Sequence, residues 1–276
     1  MFRRRDDQLE MRLQNALDSG CSVWVVGDIH GHLDAFENLL EQLELAPGDH
    51  VLCLGDLIDR GQDSAGVVRR VRQSQNIHTI MGNHEWFALE SVEADGSIIA
   101  DSGWMWNGGL ETLMSYGLED TDRLPWVSDE FQQESGIGDD IAWMSQLPIE
   151  VVLDDWRMVH AGYDPKCSEE DQLIDDAITG MLWVRRLFHD HESPWDQQRC
   201  ILVGHTVTCT LPGASHGDIA VSAATLDDGR PAWLGLDTSM FNGRLNRLSA
   251  LNLQDSRLLH ASPDQTWHRH LDSTTA

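Results

Sequence analysis

Lysine is almost missing from this sequence. Its 276 residues include one lysine, Lys166, and 18 arginines against 46 aspartates and glutamates, which gives a formal net charge of −27. Proteins that bind nucleic acid or an anionic membrane through their general surface carry the opposite charge. We therefore expect no nucleic acid and no membrane as a partner.

Long apolar runs and paired cysteines are missing too. No segment approaches the roughly 18 apolar residues of a membrane-spanning helix, and residues 1–7 lack the apolar stretch of a signal peptide. The five cysteines include no C-x-x-C pair, which favours free thiols in a reducing compartment. Because 41% of the residues are hydrophobic and 11 are tryptophans, we expect a folded, cytoplasmic protein.

The acidic excess predicts a stability that depends on salt. Like charges on one surface repel one another, and ionic strength screens that repulsion, as in proteins adapted to high salt. We expect the midpoint of thermal unfolding to rise between low-salt buffer and molar NaCl. Melting curves recorded across that range check this prediction, and a midpoint that stays constant or falls would contradict it.

Apolar runs and helical patterns alternate along the first 80 residues. The leucine spacing predicts a surface helix over 6–18. Three short apolar runs then alternate with two helical patterns: Val23–Val26, 33–45, Val51–Leu54, 64–73 and Ile77–Ile80. Such runs are typical of strands covered on both faces, and their alternation with helices predicts a parallel α/β sheet.

The second half of the chain favours strands. Residues 86–148 are predicted to be helical and irregular, and 149–160 to form a β-hairpin. Beyond them the pattern predicts a helix, four strands and a mobile tail, in that order: 168–188, 201–205, 219–225, 232–237, 246–253 and 262–276.

Five short strings place a glycine beside polar side chains where predicted strands end. They are GDIHG from Gly27, GDLIDRG from Gly55, GNHE from Gly82, HAG from His160 and GH from Gly204. Parallel sheets place their sites at the carboxyl ends of strands. Imidazole, carboxylate and amide groups suit Zn, Fe or Mn, and a carboxylate shared by two ions gives the two-metal arrangement of phosphoester hydrolysis.

In this order and spacing the strings resemble the metallophosphoesterase superfamily, and within it the phosphoprotein phosphatase family, whose blocks read GDxHG, GDxxDRG and GNHE. The resemblance covers residues 22–250 and is nearest to bacterial and phage lambda-type serine/threonine protein phosphatases. It implies an α/β calcineurin-like metallophosphoesterase fold, with a central β-sandwich of mixed sheets flanked by helices. We therefore divide the chain into an N-terminal helix (1–21), a metallophosphoesterase catalytic domain (22–255) and a C-terminal tail (256–276).

The resemblance also implies two divalent metal ions and their ligands. Asp28 and His30 would bind the first ion, and Asp56 would bridge both. Three further ligands would complete the second site: Asn83, His160 and His205. The bacterial and phage relatives indicate Mn²⁺, with Fe or Zn as alternatives. A bridging hydroxide would then attack phosphorus in line with the leaving oxygen.

Four more residues take roles through the same resemblance. His84 would protonate the leaving oxygen as the general acid, oriented by Asp59. Arg60 would bind the phosphoryl oxygens, because a guanidinium matches their geometry. A second phosphate-binding arginine follows a W-x-R pattern in these relatives, which indicates Arg185, with Arg186 as the alternative.

These features predict a metal-dependent phosphoric ester hydrolase, namely a serine/threonine protein phosphatase acting on a phosphoprotein or small phosphoester. The alternative is a symmetrical bis(5'-nucleosyl)-tetraphosphatase. Met81, where protein phosphatases usually carry Lys or Arg, fits that alternative as well, whereas Glu85 favours the phosphatase because tetraphosphatases tend to carry Asp there. A metal-binding scaffold without turnover is the third hypothesis, and the oligomeric state stays open.

Overall fold

A computed structural model describes residues 4–93, 97–99, 103–119, 126–127, 129–168, 180–240 and 247–271. The helices are α1 (Asp7–Asp18), α2 (Leu33–Leu43), α3 (Ser64–Arg72), α4 (Asn83–Glu90), α5 (Leu110–Ser115), α6 (Asp129–Ser135), α7 (Ile137–Met144) and α8 (Arg186–His189). The strands are β1 (Val23–Val26), β2 (His50–Cys53), β3 (Ile77–Thr79), β4 (Ile98–Ile99), β5 (Trp126–Val127), β6 (Glu150–Val152), β7 (Trp156–Val159), β8 (Cys200–Val203), β9 (Ala220–Val221), β10 (Trp233–Gly235), β11 (Leu248–Asn252), β12 (Arg257–Ala261) and β13 (Thr266–His270).

Two mixed sheets form the centre of the molecule. The first has the strand order β13-β12-β11-β1-β2-β3, and the second has the order β6-β7-β8-β10-β9. Strands β1, β2 and β3 are parallel, as are β7, β8 and β10, whereas the remaining strands of the two sheets pair antiparallel with their neighbours. Helices α2 and α3 are the crossovers that parallel neighbours require. The predicted α/β fold with mixed sheets is therefore confirmed.

The buried side chains of β1 explain why its sequence is apolar throughout. Successive side chains of a strand point to opposite faces. Val23 and Val25 join a core shared with Leu202 and Leu234 of the second sheet, whereas Trp24 and its neighbour Val26 join the core that helices cover. The sheets therefore pack face to face, with helices outside.

The expectation of a mobile tail is wrong for the described part of the C-terminus. Strand β12 pairs with β11, and β13 pairs with β12, so residues 257–270 extend the first sheet. The side chains of His268, Arg269 and His270 are exposed, because β13 lies at the sheet edge. The sequence of β13 does not alternate between apolar and polar residues, and that alternation is the pattern from which a strand is predicted.

Other sequence expectations have mixed outcomes. None of the five cysteines, all of which are among the described residues, forms a disulfide. The helix predicted over 168–188 falls mostly on residues 169–179, which lie outside the described residues; a helical turn at 180–183 and α8 are described. Within the described part of the chain, no helix is long and apolar enough to cross a membrane.

Candidate metal centre and active site

The ends of five strands from both sheets meet at one edge of the sandwich. Metal-binding types of side chain follow these strands in the loops, and Asn83 begins α4 directly after β3. The six predicted ligands are all buried there: Asp28 and His30 after β1, Asp56 after β2, Asn83 after β3, His160 after β7 and His205 after β8. Strands far apart in the sequence thus supply one site, as parallel strands of neighbouring sheets do.

Asp56 lies between two groups of potential metal ligands. Its Oδ2 is 3.6 Å from Nε2 of His30, and its Oδ1 is 3.4 Å from Nε2 of His160. The first group consists of His30, Asp56 and His84, and the second of Asp56, His160 and His205. Within each group the candidate ligand atoms all lie within 4.8 Å of one another. One carboxylate oxygen faces each group, which is the arrangement expected of a bridging ligand.

The two remaining predicted ligands, Asn83 and Asp28, lie beside these groups. The Asn83 Oδ1 lies 2.9 Å from Nε2 of His160 and 2.7 Å from Nδ1 of His205. Asp28 accepts the backbone N–H of His205 at 3.0 Å. Burial, together with the carboxylates of Asp237 and Asp56, raises the pKa of Asp28 well above its usual range.

The donor chemistry fits a pair of divalent cations. Burial lowers the pKa of His30, His160 and His205, so these imidazoles are neutral, the form that binds metals. Several carboxylates repel one another in a region with little water, and bound cations would remove that repulsion. The residues present therefore suit a dinuclear site built from imidazole, carboxylate and amide ligands.

Strained backbone is concentrated at this site. Eight non-glycine residues in the described chain have positive φ angles, and five of them are predicted site residues: His30 (47°), Asp56 (48°), Asp59 (74°), Arg60 (69°) and His205 (60°). Such conformations cost of order 1–3 kcal/mol each and persist where surrounding structure enforces them. Their clustering here indicates a functional site.

The glycines of the strings are needed mainly for close approach. A Cβ at Gly204 would lie 2.1 Å from Oδ1 of Asp28, and one at Gly82 would lie 2.3 Å from Oδ1 of Asp56. No side chain fits at such distances. Glycine at these positions therefore lets one strand end pack directly against a buried carboxylate, a predicted metal ligand, of another.

His84 and Asp59 form a buried pair beside the ligands. The Nδ1 of His84 donates to Oδ2 of Asp59 over 2.6 Å, and both side chains are at most 1% exposed. Burial acts to lower the pKa of His84, but Asp56 and Asp59 raise it above its ordinary value. The protonated imidazole that a general acid needs is thereby favoured. The Nε2 of His84 is also 3.9 Å from Oδ2 of Asp56, so position alone does not separate an acid from a ligand.

Two arginines bring positive charge to the site. The guanidinium of Arg60 lies 2.7 Å from Nε2 of His30 and 2.8 Å from Nε2 of His84. Arg185 donates from Nη1 to the carbonyl oxygen of His205 at 2.9 Å. Its neighbour Arg186, the first residue of α8, is exposed like Arg185, so it is the contact with His205 that favours Arg185 as the second phosphate-binding residue.

Glu85 has a structural role that the sequence did not reveal. Its carboxylate accepts the backbone N–H groups of Asp56 (2.8 Å), Leu57 (2.8 Å) and Gly82 (2.9 Å). Burial and the charge of Asp56 raise its pKa to about 7. Glu85 thus ties the loop after β2 to the loop after β3. The sequence signal for this role is the place of Glu85 at the end of the GNHE string, where it is the third residue of α4.

Asp237 is a further buried carboxylate at this site, and it lies outside the five strings. It follows β10, is 2% exposed and lies near Asp28 and Asp56. Burial raises its pKa to about 6, with Asp56 adding to the shift. Asp237 therefore adds a further carboxylate to the buried charge of this site.

Comparison with known proteins agrees with this geometry. The family model described as calcineurin-like phosphoesterase matches residues 21–222. Serine/threonine-protein phosphatase 2 of Escherichia coli is 42% identical over 86 residues, covering 30% of this chain and 39% of that protein. Its namesake from Salmonella typhimurium is 38% identical over 165 residues, covering 59% and 67%. The symmetrical bis(5'-nucleosyl)-tetraphosphatase of Erwinia tasmaniensis is 25% identical over 189 residues, covering 64% and 60%.

A solved structure shows the same fold. A cold-active protein tyrosine phosphatase superposes with a TM-score of 0.57 at 18% identity, covering 93% of this chain and 80% of that one. At this identity the likeness concerns the fold alone. The present chain spans 39% of the length of the E. coli relative and 60% of the length of the tetraphosphatase.

Proposed function

Because this chain belongs to the calcineurin-like phosphoesterase family, whose members use a dinuclear metal centre, we propose that it is a metal-dependent phosphomonoesterase acting on phosphoserine and phosphothreonine of proteins. One observation carries the proposal. Two potential ligand groups share Asp56, and a buried pair of His84 and Asp59 lies beside them. This combination offers both a binuclear metal site and a proton donor.

We propose Mn²⁺ as the resident metal. The donor set suits Mn as well as Fe or Zn, and the ligands would be the six buried strand-end residues. When bound, two such ions supply an activated water and neutralise phosphoryl charge. Metal analysis of the purified protein identifies them.

The chain's own residues would supply binding and proton transfer. Arg60 and Arg185 would hold the phosphoryl oxygens, since their guanidinium groups offer paired donors to an anion. His84 would donate the proton at Nε2 to the leaving oxygen, while Asp59 holds Nδ1. Because the whole protein carries a net charge of −27, attraction of an anionic substrate must come from these local cations.

We also propose a cytoplasmic location.

A symmetrical dinucleoside tetraphosphatase is the second candidate. The Erwinia tasmaniensis protein of that name aligns over 64% of this chain, more than either serine/threonine phosphatase described above. Two observations support the phosphatase. Over the long alignments, identity is 38% across 165 residues with the Salmonella phosphatase and 25% across 189 residues with the Erwinia tetraphosphatase, and position 85 is glutamate rather than aspartate.

A substrate panel separates these candidates. With Mn²⁺ bound, we expect 4-nitrophenyl phosphate and a phosphoserine peptide to be hydrolysed, with kcat/KM for the peptide at least about 10-fold above that for diadenosine tetraphosphate, a difference of roughly 1.4 kcal/mol in transition-state binding. Metal-stripped protein is the control. Rapid release of ADP from the dinucleotide alone would favour the second candidate, and no hydrolysis by metal-loaded protein would favour the scaffold.

A further inference from the structure

We infer that Trp104 and Thr112 are positioning residues for the proton donor: they hold the Asp59 carboxylate in the orientation in which it fixes His84. The inference rests on the proposed function, because it takes His84 as the general acid. Neither residue lies in the five strings that define the site. They belong to the segment between α4 and the end of α5.

The two oxygens of Asp59 have separate partners. Oδ2 accepts from Nδ1 of His84, whereas Oδ1 accepts from Nε1 of Trp104 at 2.8 Å and from Oγ1 of Thr112 at 2.6 Å. Trp104 and Asp59 are 0% exposed and Thr112 is 1% exposed. Water therefore has no access to replace a lost donor, and each of these bonds matters more than it would at the surface.

Thr112 also binds the backbone of the same aspartate. Its Oγ1 accepts the N–H of Asp59 at 2.9 Å, and Ser64 Oγ accepts that N–H at 3.0 Å. The single hydroxyl hydrogen of Thr112 goes to the Asp59 carboxylate at 2.6 Å in preference to Ser64 Oγ at 3.1 Å. One hydroxyl thus holds both the left-handed backbone and the side chain of Asp59.

The same segment supports the neighbouring arginine. Gly108 lies midway between Trp104 and Thr112 in the sequence. Its carbonyl oxygen accepts the backbone N–H of Arg60 at 3.3 Å. Gly108 has a φ of 107°, and a Cβ there would lie 2.6 Å from the Arg60 nitrogen. The segment therefore packs directly on the chain at Asp59–Arg60.

Loss of the donors to Oδ1 should weaken proton transfer selectively. The carboxylate would be free to rotate, and His84 would lose its fixed ring orientation. The side chains of Trp104 and Thr112 bond to Asp59 and, for Thr112, also to Ser64, so the substitutions remove no direct bond of the six potential ligands. Proton donation matters most when the leaving oxygen is basic, so the defect should depend on the leaving group and not on substrate binding.

The test compares two aryl phosphates on the same Mn²⁺-loaded samples. Phenol, with a pKa of about 10, is a poorer leaving group than 4-nitrophenol. For Thr112→Val and Trp104→Phe we expect kcat on phenyl phosphate to fall about 10- to 100-fold, part of the full worth of a general acid. On 4-nitrophenyl phosphate we expect a fall of less than about 3-fold, with KM and Mn²⁺ content unchanged. Thr112→Ser should restore the parent ratio of the two rates, because it restores the hydroxyl.

Trp143→Phe is the matched control, since it removes an indole N–H from the half-buried face of α7. The ratio of two rates on one sample does not depend on the folded fraction, so partial unfolding does not obscure the result. Equal losses on both substrates, no loss, or the same change in Trp143→Phe would overturn the inference while leaving the proposed function in place. A parent protein that cleaves neither aryl phosphate would overturn both.

Discussion

The His84→Asn protein is expected to lose about 10²- to 10⁴-fold in kcat on phenyl phosphate, the usual contribution of a general acid, while it keeps two Mn²⁺ ions per chain. Asparagine cannot supply a proton from a cationic ring, but it removes no ligand if His84 acts as the acid. Steady-state rates and metal analysis of the same sample check both parts of this expectation.

Metal content is the decisive readout for His84. Its imidazole lies in one of the two groups of potential ligands, so a metal-binding role is geometrically open. A His84→Asn protein that binds fewer than two ions would make His84 a ligand and contradict the acid role. His50→Asn is a suitable control, because it removes an imidazole that contacts His78 at the opposite end of β2. This control should change neither rate nor metal content.

The second large effect is expected for Asp56→Asn. An amide keeps the shape and one acceptor oxygen but loses the charge shared between the two groups of ligands. Metal ions contribute several kcal/mol to transition-state stabilisation, which corresponds to a rate loss on the order of 10³-fold or more. We expect fewer than two Mn²⁺ per chain by metal analysis and kcat reduced by at least that factor.

Thermal unfolding adds an independent readout for Asp56. A ligand present at 100 times its Kd stabilises a folded protein by about 2.7 kcal/mol. Added Mn²⁺ should therefore raise the unfolding midpoint of the parent and have little effect on Asp56→Asn. Asp49→Asn is the matched control: Asp49 is also buried, but its carboxylate binds the backbone N–H groups of Ser22 and Ala46. This variant should melt earlier yet keep two ions, and an Asp56→Asn protein that keeps both ions would rule out a bridging role.

The low lysine content and net charge of −27 restrict how this site attracts its substrate. The structure brings Arg60 and Arg185 to the ligand groups, whereas over the whole chain 46 acidic residues outnumber 19 basic ones. The proposed phosphate affinity therefore depends on two guanidinium groups and bound metals, and it should not be assigned to the surface as a whole.

The strands that lead into the site, the loops after them and the chemistry of the potential metal site were predictable from local sequence patterns. Short apolar runs that end in glycine and a polar residue are local signals, and the spacing of the three blocks identified the family. The six predicted ligands, together with His84 and Asp59, lie at one edge of the sandwich because each follows a strand whose direction the pattern already implied.

How these groups are held depends on contacts between parts of the chain that are distant in sequence. The bonds from Trp104 and Thr112 to Asp59 join residues 45 and 53 positions apart, and Glu85 binds backbone groups more than 25 positions away. Strand β13 is likewise defined by pairing with β12 and not by its own side chains. Such contacts produce no periodic pattern in the sequence. Their contribution to stability comes from burial and hydrogen bonding, which exist only after the sheets have packed.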